Sequence, residues 1–532
     1  MDSRIVRAGA WTLLVVAVLV CAQSAGGTGA TENASIVAIY PDPIAHGDAG
    51  EFVVLDLPGE GNYSLGDGEQ TIALPANATG RVAVTAAPDR VRPLVEVPVV
   101  GVSTFPALAN GGDEVILRAD GRTVDRVVYD DPEEGAIGRP RDDGITWRHV
   151  DATDRDPVRG GGGPAEAFLL PDAGGRVCEE LSTADRRIEL AGYTLTSRCV
   201  TDELVAAADR GVDVTVLVEG RPAGGFQPAM ADRLDRLSTS PATVRVVSGP
   251  GAPVRYHHAK YAVVDDRAVV LTENFKPAGT GGHASRGWGA IVTSEAVVAN
   301  LSRTIEADAG AHGVSNWSHA REEITVTEGS APAATTYPER MSPRTVDTER
   351  TTLLLAPDNA ESELAARIRA ADRRVLIEQA GIGGVDVPLV RAAIDAAENG
   401  TRVRILLSSA WYDREQNRAV VSSLRSIADR RDLPIEAKLA RPHGRFEKIH
   451  AKGVVVDDRA YVGSLNWNNN SIRNNREVVV GLQGERPAAY FARAFQADWV
   501  GGRWRLPVGL LAVALIGWIA LGLVGRRITF AE

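Results

Sequence analysis

Two hydrophobic rhythms divide the chain. From 35 to 135, short apolar runs such as Phe52-Val-Val-Leu55 and Val115-Ile-Leu117 alternate with turn residues, and no helical period survives. That pattern predicts an all-β unit. Asp120-Gly121 lies between Glu114-Val-Ile-Leu-Arg118 and Thr123-Val-Asp-Arg-Val-Val-Tyr129, which predicts a tight hairpin. The segment 136–164, with Gly160-Gly-Gly-Gly163-Pro164 at its end, reads as a linker. From 165 to 500 the rhythm becomes strand, amphipathic helix, strand, and it runs twice. Ala184-Asp-Arg-Arg187 returns as Ala371-Asp-Arg-Arg374, and Gly211-Val-Asp-Val-Thr-Val-Leu217 as Gly400-Thr-Arg-Val-Arg-Ile-Leu406. Alternating βα units predict an α/β sheet covered by helices. The halves, 165–325 and 349–500, flank a Ser/Thr/Pro-rich linker at 326–348 and suggest a duplicated domain facing itself across a pseudo-twofold axis.

The ends carry a third pattern. Arg4 and Arg7 precede an apolar run at 8–22 and small residues, so 1–25 reads as a signal peptide. The run 506–525 is uncharged, long enough to cross a bilayer as a helix, and followed by Arg526 and Arg527. The expectation is a single-pass cell-membrane protein with its bulk outside the cell. In that oxidising setting Cys178 and Cys199 are either one disulfide or two buried thiols.

The net charge of −11 argues against general binding to polyanions, though not against a local basic cleft. Positive charge is carried almost wholly by arginine, since the chain has only five lysines. Two of them sit in a repeated motif. His258-Ala-Lys260, followed by Asp265, recurs as His450-Ala-Lys452, followed by Asp457. His and Lys two apart on a strand share a face. An apolar run then leads to a turn at the Asp. The return strand ends in Leu271-Thr272-Glu273-Asn274 or Gly463-Ser464-Leu465-Asn466. Two such hairpins gather imidazoles, ammonium groups, hydroxyls and amides on one surface.

That set suits phosphodiester chemistry. Lysines and asparagines stabilise charge on the equatorial oxygens. One histidine attacks phosphorus, and the other serves as acid and base. No carboxylate-rich or Cys/His cluster marks a metal site, so neither metal nor cofactor is expected.

The duplicated motif, with Gly463-Ser464-Leu465-Asn466 behind its second copy, resembles the phospholipase D superfamily over 165–500. The resemblance implies an α-β-α sandwich with a pseudo-twofold active site. It makes His258 the nucleophile and His450 the acid/base. It gives phosphate binding to Lys260, Lys452, Asn274, Asn466, Thr272 and Ser464, and local support to Asp265 and Asp457. Glu477 matches a downstream acid that orients a histidine. The first copy offers Gly289 where the second offers Glu477, which leaves the acid for His258 unassigned. Residues 35–135, through Tyr40-Pro-Asp-Pro, Leu65-Gly-Asp-Gly68 and Gly112-Asp-Glu-Val-Ile-Leu117, resemble lamin-tail domains, which implies an immunoglobulin-like β-sandwich.

The expected partner is a phosphodiester, favoured as a phospholipid because of the membrane tether, with a monomer as the active unit. A nucleic-acid substrate, a cardiolipin-synthase-like phosphatidyltransferase and a non-catalytic adhesion protein are the alternatives.

Overall fold

A computed structural model describes residues 34–501, apart from 44–48, 60, 133, 151, 153–154, 250–251, 253 and 330. The expected signal peptide and the run 506–525 lie outside the described residues. Among those described, no helix is long and apolar enough to cross a membrane.

The N-terminal unit is two β-sheets. One orders its strands Gly144–His149, Ala136–Arg141, Ser35–Tyr40, Phe52–Leu57, Gly80–Thr85 and Val99–Gly101; the other orders Thr71–Ala73, Tyr63–Gly66, Gly112–Ala119 and Arg122–Asp130. Ile39, Val53, Leu55 and Val84 from the first share a core with Leu65, Val115, Leu117 and Tyr129 from the second. The expected hairpin forms, with Asp120 and Gly121 both at positive φ. That is the geometry its right-handed strand twist favours.

The expected linker at 136–164 is corrected. Ala136–Arg141 and Gly144–His149 extend the first sheet, and Gly160–Gly163 lie within the strand Val158–Leu170. This strand pairs antiparallel with Arg344–Ala356 and joins the two halves. The glycines allow a close approach rather than flexibility. A Cβ on Gly162 would stand 2.4 Å from the carbonyl of Thr348, and one on Gly160 would stand 2.0 Å from Ser294 Oγ. The second half likewise starts at Arg344, inside the expected linker at 326–348.

Each half repeats one topology. In the first, Arg187–Gly192, Asp213–Glu219 and Thr243–Val247 are parallel, and Lys260–Val264 lies antiparallel beside Arg187–Gly192. Arg267–Leu271 and Ser285–Val292 continue the ladder to the central pair. The second half runs Ile435–Leu439, Arg402–Leu407, Arg374–Gln379, Lys452–Val456, Arg459–Gly463 and Asn475–Gln483 to the same centre. Every residue of Lys260–Val264 and of Lys452–Val456 is buried, which explains their continuous apolar character. Each half has an outer core under its helices, and a shared inner core contains Leu217, Trp288, Leu406, Val455 and Phe491. The halves fit by exchanging bulk. A Cβ on Gly453 would lie 2.1 Å from the Trp288 indole, while the first copy carries Tyr261 at the position of Gly453.

Candidate active site

The motif turns come first, because they fix the strands that carry the site. Asp265 and Asp457 adopt left-handed backbone at φ 53° and 52°. The Asp265 carboxylate accepts backbone N–H groups of Asp185, Arg186 and Arg187 at 2.9–3.0 Å. Asp457 does the same with Asp372, Arg373 and Arg374 at 2.9–3.0 Å. Burial pushes both carboxyls up, but these backbone bonds outweigh it and hold them below the usual aspartate range. Both aspartates stand at the far end of the strand from the histidine, roughly 16 Å along five extended residues, and act as clamps.

At the other end the chain crosses between halves. His258 N–H donates to the carbonyl of Arg476 at 3.0 Å, and His450 N–H donates to that of Arg286 at 2.9 Å. Each arginine is buried between carboxylates: Arg286 on Asp172 and Asp498, Arg476 on Asp308 and Asp358. Burying such charges is costly unless they are paired. Here the paired networks hold the two strand segments that meet the opposite half's histidine.

The acids also cross. His258 Nδ1 lies 2.8 and 3.0 Å from the Glu477 carboxylate oxygens. Glu477 belongs to the second half, so the acid unassigned from sequence is the one expected to serve a histidine all along. Ser471 Oγ and, at 3.2 Å, Asn475 Nδ2 also donate to it. Burial pushes Glu477 up, yet His258 and Lys260 hold it below the usual range. His450 Nδ1 lies 3.2 Å from Glu273 Oε2, in ion-pair reach but off the hydrogen-bond line. Burial pushes the Glu273 carboxyl up, against the pull of Lys452, Lys276, Lys260 and Lys448.

The pairing of Gly289 with Glu477 is therefore a two-residue misregister. Arg286 and Arg476 do the same job, so Gly287 is the counterpart of Glu477. A Cβ on Gly287 would meet Glu273 Cγ at 2.2 Å. Glu273, at the position of Leu465, fills the space that Gly287 leaves open. The two halves supply the same carboxylate from neighbouring strands.

Lys260 and Lys452 donate to the carbonyls of His258 and His450 at 2.5 and 2.7 Å. Burial pushes Lys260 down and lowers Lys452 to about 8. Burial, with Lys260 and Lys452 nearby, lowers His258 to about 4 against the pull of Glu477. His258 is then neutral at neutral pH, with Nδ1–H donating to Glu477 and the lone pair on Nε2. His450 is pushed down by burial and by Lys452, Lys276 and Lys260. Asn274 Oδ1 and both amide atoms of Gln379, the residue in register with Lys452, are buried without partners. Such orphaned groups are poised for a polar ligand.

Of the residues expected from sequence, His258, Lys260, His450, Lys452, Glu477 and Asn274 gather here. The buried hydroxyl oxygens of Thr272 and Ser464 accept the backbone N–H of Trp288 and Val478 at 2.9 and 3.0 Å, and so lock the neighbouring strand. Asn466 ends its return strand with its N–H donating to Ser471 Oγ at 3.0 Å. Sequence reasoning missed Glu273, Gln379, Lys276, Lys448 and Tyr193, whose ring meets His258 edge-on at 4.6 Å. Lysine scarcity was the available signal, since four of the five lysines surround Glu273. Cys178 and Cys199 are bonded, with Cα atoms 6.1 Å apart, and tie helix Arg176–Ser182 to helix Arg198–Asp209.

The family model described as "Cardiolipin synthase, PLD-like domain" matches residues 177–309 and 364–499, together about half of the chain. No curated protein sequence matches. Among solved structures, the phosphatidylserine synthase of Haemophilus influenzae Rd KW20 is 14% identical, with 62% of this chain and 86% of that one covered at a TM-score of 0.47. NucT from Helicobacter pylori is 19% identical, covering 28% of this chain and 96% of its own at 0.25. Nuc from Salmonella typhimurium is 20% identical, covering 27% and 93% at 0.24.

Proposed function

This chain belongs to the phospholipase D-like family, and from that premise we propose that it is a membrane-anchored extracellular phosphodiesterase working through a covalent phosphohistidine. The observation that carries the reading is the crossed bracing: Glu477 on His258 and Glu273 on His450, each acid from the other half. In the first step His258 Nε2 attacks phosphorus. The P–N bond forms, the P–O bond to the leaving alcohol breaks, and His450 gives that oxygen its proton. In the second step His450 takes a proton from water, the new oxygen attacks phosphorus, and the P–N bond breaks to return His258. An alcohol in place of water yields a new diester. The bound phosphate and Glu273 supply the negative charge that lets buried His450 carry its proton. Lys260 and Lys452 stabilise the equatorial oxygens.

A phospholipid is the favoured substrate, because the uncharged run 506–525 would hold the enzyme beside headgroups. The N-terminal sheets would act as a lamin-tail-type spacer or binding unit. The test is a panel of phosphatidylcholine, cardiolipin, single- and double-stranded DNA and bis(p-nitrophenyl) phosphate, assayed in chelator with and without acceptor alcohol. Chelator-resistant turnover that requires both histidines and prefers lipid is expected. Loss of all turnover in chelator, or turnover that survives His258→Ala and His450→Ala together, would refute the mechanism. A preference for DNA would move the substrate to nucleic acid.

A further inference from the structure

A cavity of about 1110 Å³ lies outside the histidine site, on the second half. It is lined by Arg404, Arg414, Arg418, Arg425, Lys438 and Arg441, with no Asp or Glu in the lining. In a chain of net charge −11 this concentration of cations is the exception. Arg404 pairs with Glu436 at 2.8 Å on its outer side. Arg414 and Arg425 are steadied through Nε by the carbonyls of Ser409 and Ala437 at 3.1 and 2.9 Å, which position their charge without cancelling it. The basic surface continues along the helix Arg414–Arg431, where Arg418, Arg425 and Arg430 line a second hollow together with Asp429. Such a surface fits fixed phosphate groups.

Two features say which phosphates. Trp499 and Val500, the last turn of the final described helix, form part of the groove wall. The Trp499 ring lies 4.1 Å from Lys438 Nζ and 5.4 Å from the Arg404 guanidinium, an amphipathic grouping suited to a water–lipid boundary. The chain then continues through Arg503, Trp504 and Arg505 into the uncharged run at 506–525. Even fully extended, the six steps from Val500 to Leu506 span at most roughly 20 Å. The groove therefore cannot stand far from any bilayer which that run enters.

We propose that this groove docks the catalytic body onto the anionic headgroups of its own membrane, as a phosphate-binding surface separate from the reacting histidines. The proposal rests on reading 506–525 as the membrane anchor. Its links to the active site are the loop carrying Ser409, which borders the groove, and Tyr412, whose ring lies 5.1 Å from Lys448. Trp411 on the same loop is 83% exposed. Docking would set this loop and the neighbouring histidine site against the lipid surface.

The test places a fluorophore on Ser422→Cys, in the adjoining hollow on the helix Arg414–Arg431, in the full-length chain. The protein is reconstituted into vesicles of phosphatidylcholine alone or with phosphatidylglycerol, each carrying a headgroup quencher. Quenching should be strong with phosphatidylglycerol, weak without it, and relieved by salt. Arg418→Glu/Arg425→Glu/Arg441→Glu should lower the docked-to-free ratio by at least on the order of a hundredfold, about fivefold for each arginine lost. The matching Arg→Lys triple should retain docking, which separates lost charge from lost fold. Equal quenching in both vesicles, or indifference to charge reversal, overturns the proposal. Displacement by a single-stranded oligonucleotide that binds more tightly than the lipid would reassign the groove to nucleic acid. Alkaline extraction tests the anchor separately. If the chain is extracted yet floats with phosphatidylglycerol vesicles through these arginines, the groove stands and the anchor fails.

Discussion

The two halves build the same half-site with different residues. In the second, a small strand position, Gly453, faces Trp288, and the orienting acid Glu477 projects from the strand Asn475–Gln483. In the first, the strand position is Tyr261, and the acid has moved to Glu273 opposite Gly287. What is kept is the location of a carboxylate beside an imidazole, not the residue that supplies it. The bracing is unequal as well. Glu477 has hydrogen bonds from His258, Ser471 and Asn475, whereas Glu273 has only its off-line approach to His450. The better-braced imidazole is the one assigned to attack.

The largest effects should separate the histidines. His258→Ala should lower kcat/KM by about 10⁴-fold or more on any diester, because no other group forms the P–N bond. His450→Ala should slow formation of the intermediate about 10²–10⁴-fold with an alkyl leaving group, and much less with p-nitrophenolate, which leaves without a proton, so that a burst of nitrophenolate precedes a slow second step. Equal losses for both variants on both leaving groups would erase the distinction between the halves.

The acids come next. Glu477→Gln should reduce kcat toward the 10⁴-fold loss seen when an orienting carboxylate becomes an amide. Glu273→Leu should cost about 10²-fold. Adding Gly287→Glu to Glu273→Leu rebuilds the second half's arrangement in the first and should return kcat to within about tenfold. Failure of the double variant, with its fold intact by circular dichroism, would show that the equivalence of Gly287 and Glu477 is only topological.

A smaller effect lies in pH. Lys452, lowered to about 8 by burial, loses its charge as pH rises through that value, so KM should rise above about pH 8. His258, lowered to about 4, loses its proton below the assay range and sets the acid limb near that value. Lys452→Arg should weaken binding throughout but remove the alkaline limb, since a guanidinium stays charged.

The smallest effect concerns stability alone. Only the first half carries a disulfide, closing a loop of 21 residues. Reduction should lower unfolding stability by about 3 kcal/mol without changing kcat, read from urea unfolding with and without reductant.

Much of this was legible in sequence because it repeats. The two His-x-Lys motifs, the buried strands and the aspartate turns are short patterns with a local cause. The crossed acids were not legible, because a one-dimensional repeat suggests that each half completes itself. The strand Ser285–Val292 is set by its pairing to Val158–Leu170 and by Arg286 in its buried ion pairs, and neither constraint is visible in spacing. Reading Gly289 against Glu477 followed from that. The glycine run at 160–163 misled for a related reason: glycine marks close backbone contact as readily as flexibility, and only the partner strand decides. The basic groove was hidden because Arg404, Lys438 and Arg441 join it from outside the helix that carries Arg414, Arg418 and Arg425, and acids such as Asp429 and Glu436 lie among them in sequence.

The central claim is one site with one nucleophile, drawn from both halves. The direct measurement is rapid acid-free quenching of the His450→Asn variant after mixing with a phosphorus-labelled nitrophenyl diester, followed by peptide mass mapping. The account predicts one phosphoryl group per chain on His258, absent when Glu477→Gln is added. Label on another residue, or full turnover with no labelled enzyme at any time, would contradict it.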